Sequence, residues 1–233
     1  MRYIISLLGI LLTTGSFSQN YQVFKGDTIN RKDAKGLKQG VWRKYYRNDT
    51  LCSESQFLND KVVGNSRTWY ESGKLKVVVK FNKSSRGEAI SYFESGKVMA
   101  RGIYIGQKKD STWIYYHESV DTISAIEKYS NGIPDGDWKV FYENGKTAHE
   151  LSYKKGKKEG VVKEYNDDGR LIFEITYVNG VESGLSILYF TSGKLREKGI
   201  YKKGERDGKW INYNEDGTVA EEKIFVNGVE QKK

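Results

Sequence analysis

Residues 136–183 read GDWKVFYENGKTAHELSYKKGKKE and then GVVKEYNDDGRLIFEITYVNGVES, two units of about 24 residues that align glycine to glycine. The unit recurs from Gly184 (GLSILYFTSGKLREKGIYKKGERD) and from Gly208 (GKWINYNEDGTVAEEKIFVNGVEQ). Toward the N-terminus, copies starting at Gly40, Gly64, Gly87 and Ser111 bring the repeated region to residues 36–231. Eight tandem units of this length predict a scaffold in which no unit buries its apolar side chains alone.

Three columns run through the copies when each is counted from its starting position. An aromatic stands at offset 5 in every copy: Tyr45, Trp69, Tyr92, Tyr116, Phe141, Tyr165, Tyr189 and Tyr213. A second aromatic column at offset 17 holds Phe57, Phe81, Tyr104, Tyr153, Tyr177, Tyr201 and Phe225, joined by Tyr129 once one inserted residue near Val120 is allowed. Aliphatics occupy offset 11 in all copies but one, where Thr147 stands.

Between the first two columns lies a turn with glycine at offset 9, as in Glu143-Asn144-Gly145-Lys146 and Asp167-Asp168-Gly169-Arg170. Asn-Gly and Asp-Gly supply the positive φ of tight hairpin turns. The apolar positions from offset 11 to 17 share one parity, which places them on one face of a regular strand. A second turn, such as Val178-Asn179-Gly180, leads into the next copy. Each unit therefore reads strand, turn, strand, turn, and no window sustains a helical stripe. The predicted fold is all-β: an elongated single antiparallel sheet of eight stacked hairpins, some sixteen strands spanning on the order of 75 Å. That is a surface rather than a pocket.

The run Gly136-Asp137-Trp138-Lys139-Val140-Phe141-Tyr142-Glu143-Asn144-Gly145-Lys146 resembles the bacterial variant of the MORN repeat, and the resemblance covers the whole repeated region. It implies hairpins in one elongated sheet and no catalytic activity of its own. Bacterial proteins made only of this variant are commonly named as antitoxin components of toxin–antitoxin modules. MORN repeats elsewhere are credited with protein contacts, dimerisation and phospholipid association.

Arg2, the apolar run Tyr3–Leu12 and the small residues of Ser16-Phe17-Ser18 read as a signal peptide over 1–18, cleaved before Gln19. The run is too short for a span of about 20 apolar residues. Export to the periplasm, the outer surface or the medium follows as an expectation. Residues 19–35 form an N-terminal cap segment, and 232–233 a tail.

The chemistry of catalysis is thinly represented. Polar residues recur by repeat register rather than converging on one point. His117 and His149 fall in different copies, and Cys52 is the sole cysteine, free to be an ordinary strand residue or to pair between chains. No enzyme, no cofactor and no metal site are expected. Lys and Arg number 39 against 30 Asp and Glu, a net +9; loss of the leader removes Arg2 and leaves +8. A basic column follows the first turn at Lys74, Lys97, Lys146, Arg170 and Lys194, yet Glu71, Glu94, Glu143 and Asp167 precede four of these by three residues. Glu54, Glu150, Glu174 and Glu222 make an acidic column at offset 14. Such interleaving, with export, disfavours nucleic acid as a partner.

Four tryptophans recur at offset 2: Trp42, Trp113, Trp138 and Trp210. Alternation points them away from the offset 5 column, so they are candidate exposed anchors for a partner; the alternative is that each ring folds back onto the neighbouring copy. The two end strands of an open ribbon invite β-addition unless covered. Tyr21-Gln22-Val23-Phe24 is expected to cap the first copy and the charged tail from Val229 to blunt the last. The expected role is binding of a macromolecular partner, a protein first, with anionic lipid or an envelope polymer, or a structural spacer, as alternatives.

Overall fold

The structure, a computed structural model, describes residues 20–232. The expected leader, its junction at Gln19 and Lys233 lie outside the described residues.

Local chemistry builds each hairpin as the spacing requires. In the unit from Gly136, strand Gly136–Phe141 pairs antiparallel with Thr147–Lys154. The turn between them closes when the Tyr142 and Gly145 amides donate to the Lys146 and Tyr142 carbonyls, at 2.9 Å each, with Gly145 at φ +80°. The second turn is tighter. Asn179 and Gly180 sit at φ +53° and +85° between the paired Val178 and Val181, the double left-handed geometry of a type I′ turn whose twist matches that of the strands.

Eight hairpins of this kind stack in chain order, each strand lying beside its neighbours in sequence. Closure into a barrel would need a ladder between Val229–Gln231 and Arg31–Lys32. Among the described residues the first pairs only with Val219–Val226 and the second only with Lys38–Tyr45, so the sheet is open and antiparallel throughout.

One expectation about its faces is corrected. In every hairpin offset 5 pairs with offset 11 while offset 4 pairs with offset 13, as in Tyr213 with Val219 and Asn212 with Glu221. The residue at offset 12, here Ala220, is an unpaired extra, a β-bulge that resets the alternation. Offsets 11 and 17 therefore do not share a face. Paired residues do, so offsets 0, 2 and 4 stand with 17, 15 and 13, and offsets 3 and 5 stand with 14 and 11. The two aromatic columns lie on opposite faces.

The face with offsets 2 and 17 carries the core. Trp113, Trp210, Val79, Ala89, Ala100, Val162 and Phe225 are its buried members. Rings stack along it, with Trp113 against Tyr104 at 4.9 Å and Trp210 against Tyr201 at 5.0 Å, both edge to face.

Candidate interaction surfaces

Three regions compete for a partner: the ring face, the opposite face and the borders of the sheet. The ring face is filled by the protein itself. Trp113 and Trp210 retain 3% and 1% of their exposure, so the proposed exposed anchors are, at these two positions, core. Their rings lie over Gly102 and Gly199, where any Cβ would overlap the indole. Cations then cover the rings: Lys109 lies 4.8 Å from the Trp113 centroid, and the Arg206 guanidinium 4.1 Å from that of Trp210.

The indole nitrogens explain why tryptophan recurs here. At joints preceding a tryptophan the ladder is interrupted, as between Lys198–Ile211 and Ile200–Asp207, and a carbonyl at offset 16 loses its strand partner. Trp113, Trp138 and Trp210 Nε1 donate to the Ile103, Lys128 and Ile200 carbonyls at 3.1, 3.0 and 3.2 Å. Trp138 and Trp42 are half-buried. Before Trp42 there is only the two-residue strand Arg31–Lys32, and its Nε1 is buried without a hydrogen-bond partner.

The first-turn border is polar and self-satisfied. Tyr46, Tyr70 and Tyr142 donate their hydroxyls to the carbonyls of Trp69, Tyr92 and Tyr165, one copy further on, at 2.7–2.8 Å. His117 Nε2 reaches the Phe141 carbonyl at 3.1 Å in the same way. The basic column belongs to this ladder: Lys97, Lys146 and Lys194 Nζ donate to the Glu118, Asp168 and Glu215 carbonyls, and Arg170 to that of Thr191. These cations tie successive turns together.

The second-turn border differs. Leu58, Ile105, Ile133, Val178, Val181, Val226 and Val229 are exposed there, interleaved with the exposed Lys61, Lys108, Lys154, Lys157 and Lys202.

The face opposite the tryptophans carries the half-buried offset 5 aromatics and is more open. Cross-strand pairs Arg43–Glu54 and Lys139–Glu150, both at 2.8 Å, lie on it. Lys139 and then the Tyr165 hydroxyl hold the Glu150 carboxyl below its ordinary value against the opposing pull of burial. Toward the C-terminus Leu185 lies directly across from Ile200, at 49% and 52% exposure, while Ile224, two strands beyond Ile200, faces Lys209. The Leu185–Ile200 pair makes a small exposed apolar patch.

The two edges are unequal. The Asn30 side chain stands in for a strand at the first edge: its Oδ1 accepts the Arg43 amide at 2.8 Å and its Nδ2 donates to the Arg43 carbonyl at 3.1 Å. The expected cap pairs Gln22–Phe24 with Asp27–Ile29 as a separate hairpin, and Phe24 stacks on Tyr45 at 4.1 Å. At the other end Val229–Gln231 covers only Ile224–Val226. Residues 219–223 have no ladder on their outer side among the described residues, so the tail blunts this edge in part.

His149 lies 3.6 Å from Glu164, one strand away from the ladder of His117, and Cys52 is half-buried. Among the described residues no group of three or more His, Cys, Asp or Glu side chains could hold a metal ion.

Among solved structures, the chain is similar to one in "Crystal Structure of TcdB2-TccC3-Cdc42", at 14% identity over 85% of this chain and 13% of that one, with a TM-score of 0.23. The chain thus spans about an eighth of that structure's length. No curated protein matches it. The model of the MORN repeat variant matches residues 38–59, 62–83, 86–105, 134–155, 158–179, 182–203 and 206–227. The copy from Ser111, with its inserted residue, falls between two of these matches but keeps the same bulged register, Tyr115 pairing with Ala125 and Tyr116 with Ile123. With well over half of its length matched, the chain belongs to the MORN repeat variant family.

Proposed function

We propose that this chain is an exported, non-catalytic repeat scaffold that binds a protein partner through its open face. The observation that carries this reading is the asymmetry of the two faces. On one, the Trp113 and Trp210 rings are buried beneath cations; on the other, the offset 5 rings are only half-buried and Leu185 stands exposed across from Ile200. A partner ring or aliphatic side chain placed there gains burial at about 25 cal/mol per Å². The antitoxin name carried by proteins of this repeat composition suggests an immunity-type role, and the leader expected at residues 1–18 favours one outside the cytoplasm.

The second-turn border favours a second reading, association with anionic lipid or an envelope polymer. Exposed valines and leucine between lysines suit an interface that takes apolar side chains and attracts cations. A purely structural spacer would bind neither.

The test is capture from an envelope extract of the producing cells by immobilised residues 19–233, at low and high salt, beside the variant Leu185→Asp/Ile200→Asp. The proposal expects a single protein retained at high salt by the parent and lost by the variant. Retention of vesicles containing phosphatidylglycerol, abolished by salt and unchanged in the variant, would transfer the function to the second-turn border. Retention of neither would leave the spacer role.

A further inference from the structure

On the open face the pair at offsets 3 and 14 varies from copy to copy. In three copies a basic side chain at offset 3 meets an acid at offset 14: Arg43 and Glu54, Lys139 and Glu150, Lys163 and Glu174. In the copy from Gly87 these positions hold Ile90 and Arg101, and in the copy from Ser111 they hold Ile114 and Ile126.

Around Ile90 and Arg101 the sheet surface sinks into an open hollow of about 480 Å³, floored by Val78, Ile90, Ile103 and Ile114. Its size falls within the range of about 300–1,000 Å³ typical of small-molecule sites, which are mostly apolar with a few polar groups. Lys80, Glu88 and Arg101 also line it. Lys80 stands directly across the ladder from Glu88, so their charges offset each other. Arg101 stands across from Ile90. Its guanidinium makes no ion pair, side-chain hydrogen bond or ring contact among the described residues.

We propose that this hollow binds an aliphatic carboxylate, the chain lying over Val78, Ile90, Ile103 and Ile114 and the carboxylate meeting the Arg101 guanidinium in a two-pronged pair. An apolar floor beside one uncompensated, forked cation has this complement: one planar anion on a hydrocarbon chain. The site lies in copies two to four, away from Leu185 and Ile200, and does not depend on the partner surface proposed above.

The test titrates decanoate, decanol, decyl phosphate and acetate into the purified protein, following the methyl resonances of Ile90, Ile103 and Ile114. Saturable shifts at these three with decanoate, and none with acetate, are expected. Arg101→Ala, whose fold is checked by circular dichroism, is expected to weaken decanoate about tenfold or more and to leave decanol unchanged. Ile114→Glu should remove decanoate binding, because its carboxylate, directly across the ladder from Arg101, takes the guanidinium and repels the ligand. The proposal is overturned if decanoate gives no saturable shift, if decanol binds as tightly, or if Arg101→Ala binds decanoate as the parent does. Tighter binding of decyl phosphate than of decanoate overturns the carboxylate assignment.

Discussion

Gly102 and Gly199 are the residues on which the tryptophan placement turns. Neither lies in a turn, and each sits one strand before a tryptophan whose ring occupies the space a Cβ would take. Other joints fill the same volume differently: Ser55 hydrogen-bonds Ser66 at 2.7 Å, Val79 faces Ala89, and Ile175 faces Ser186. Volume is matched across each joint, as close packing demands. Gly199→Ala is therefore expected to destabilise by about 1–3 kcal/mol, and Trp210→Ala by about 3–5 kcal/mol. Combining Gly199→Ser with Trp210→Ser, which copies the Ser55–Ser66 joint, should cost less than the sum of the single changes, a coupling read by urea denaturation. Trp138, half-buried, should cost less than Trp210 when cut to alanine. Glu150 sets a pH dependence of definite sign. Its carboxyl is held below its ordinary value in the folded state by Lys139, so its stabilisation is present above the unfolded carboxylate pKa and is lost as pH falls through the folded one. A Glu150→Gln variant should lose less stability than the parent between neutral and acid pH, measured by thermal unfolding.

At the scale of the element, turns and edges are where the sequence departs from the ideal. Lys155 and Lys203 occupy the first left-handed position of their I′ turns, at φ +50° and +53°, where other copies place Asn179 and Asn227. Asparagine tolerates this region better than lysine. Replacing both lysines by asparagine should stabilise the protein by up to about 1 kcal/mol per site, raising the denaturation midpoint. The first strand depends on Asn30, whose amide presents the donor and acceptor of a missing neighbour. Asn30→Ala should cost about 1–2 kcal/mol and, as a sharper readout, accelerate hydrogen exchange at the Arg43 amide while amides of the strands around Trp210 keep their protection. Unchanged exchange at Arg43 would remove Asn30 from the role of edge cover.

For the whole molecule, stability is a sum over neighbouring hairpins, because each strand touches only those beside it. Deleting residues 160–183 brings Leu151 opposite Ser186, a larger side chain against a small one as in the Ile175–Ser186 joint. The shortened chain should fold with an unchanged spectrum and with a denaturant slope lower by roughly one eighth, since the slope follows the surface exposed on unfolding. The repeat, the hairpins, the two turn types and the single antiparallel sheet were legible in the sequence, because period, parity and Asn-Gly chemistry act over a few neighbouring residues. The assignment of side chains to faces was not legible. A bulge at offset 12 follows from how two strands close on each other, and it reversed the parity on which the expected aromatic face rested. The same holds for the tryptophans: Gly102 and Gly199 stood off the turn columns as a signal in the chain, but only packing across a joint shows that they make room for Trp113 and Trp210. The hollow beside Arg101 belongs to tertiary structure as well, since its floor is drawn from strands whose facing residues the sequence cannot pair until the register is set.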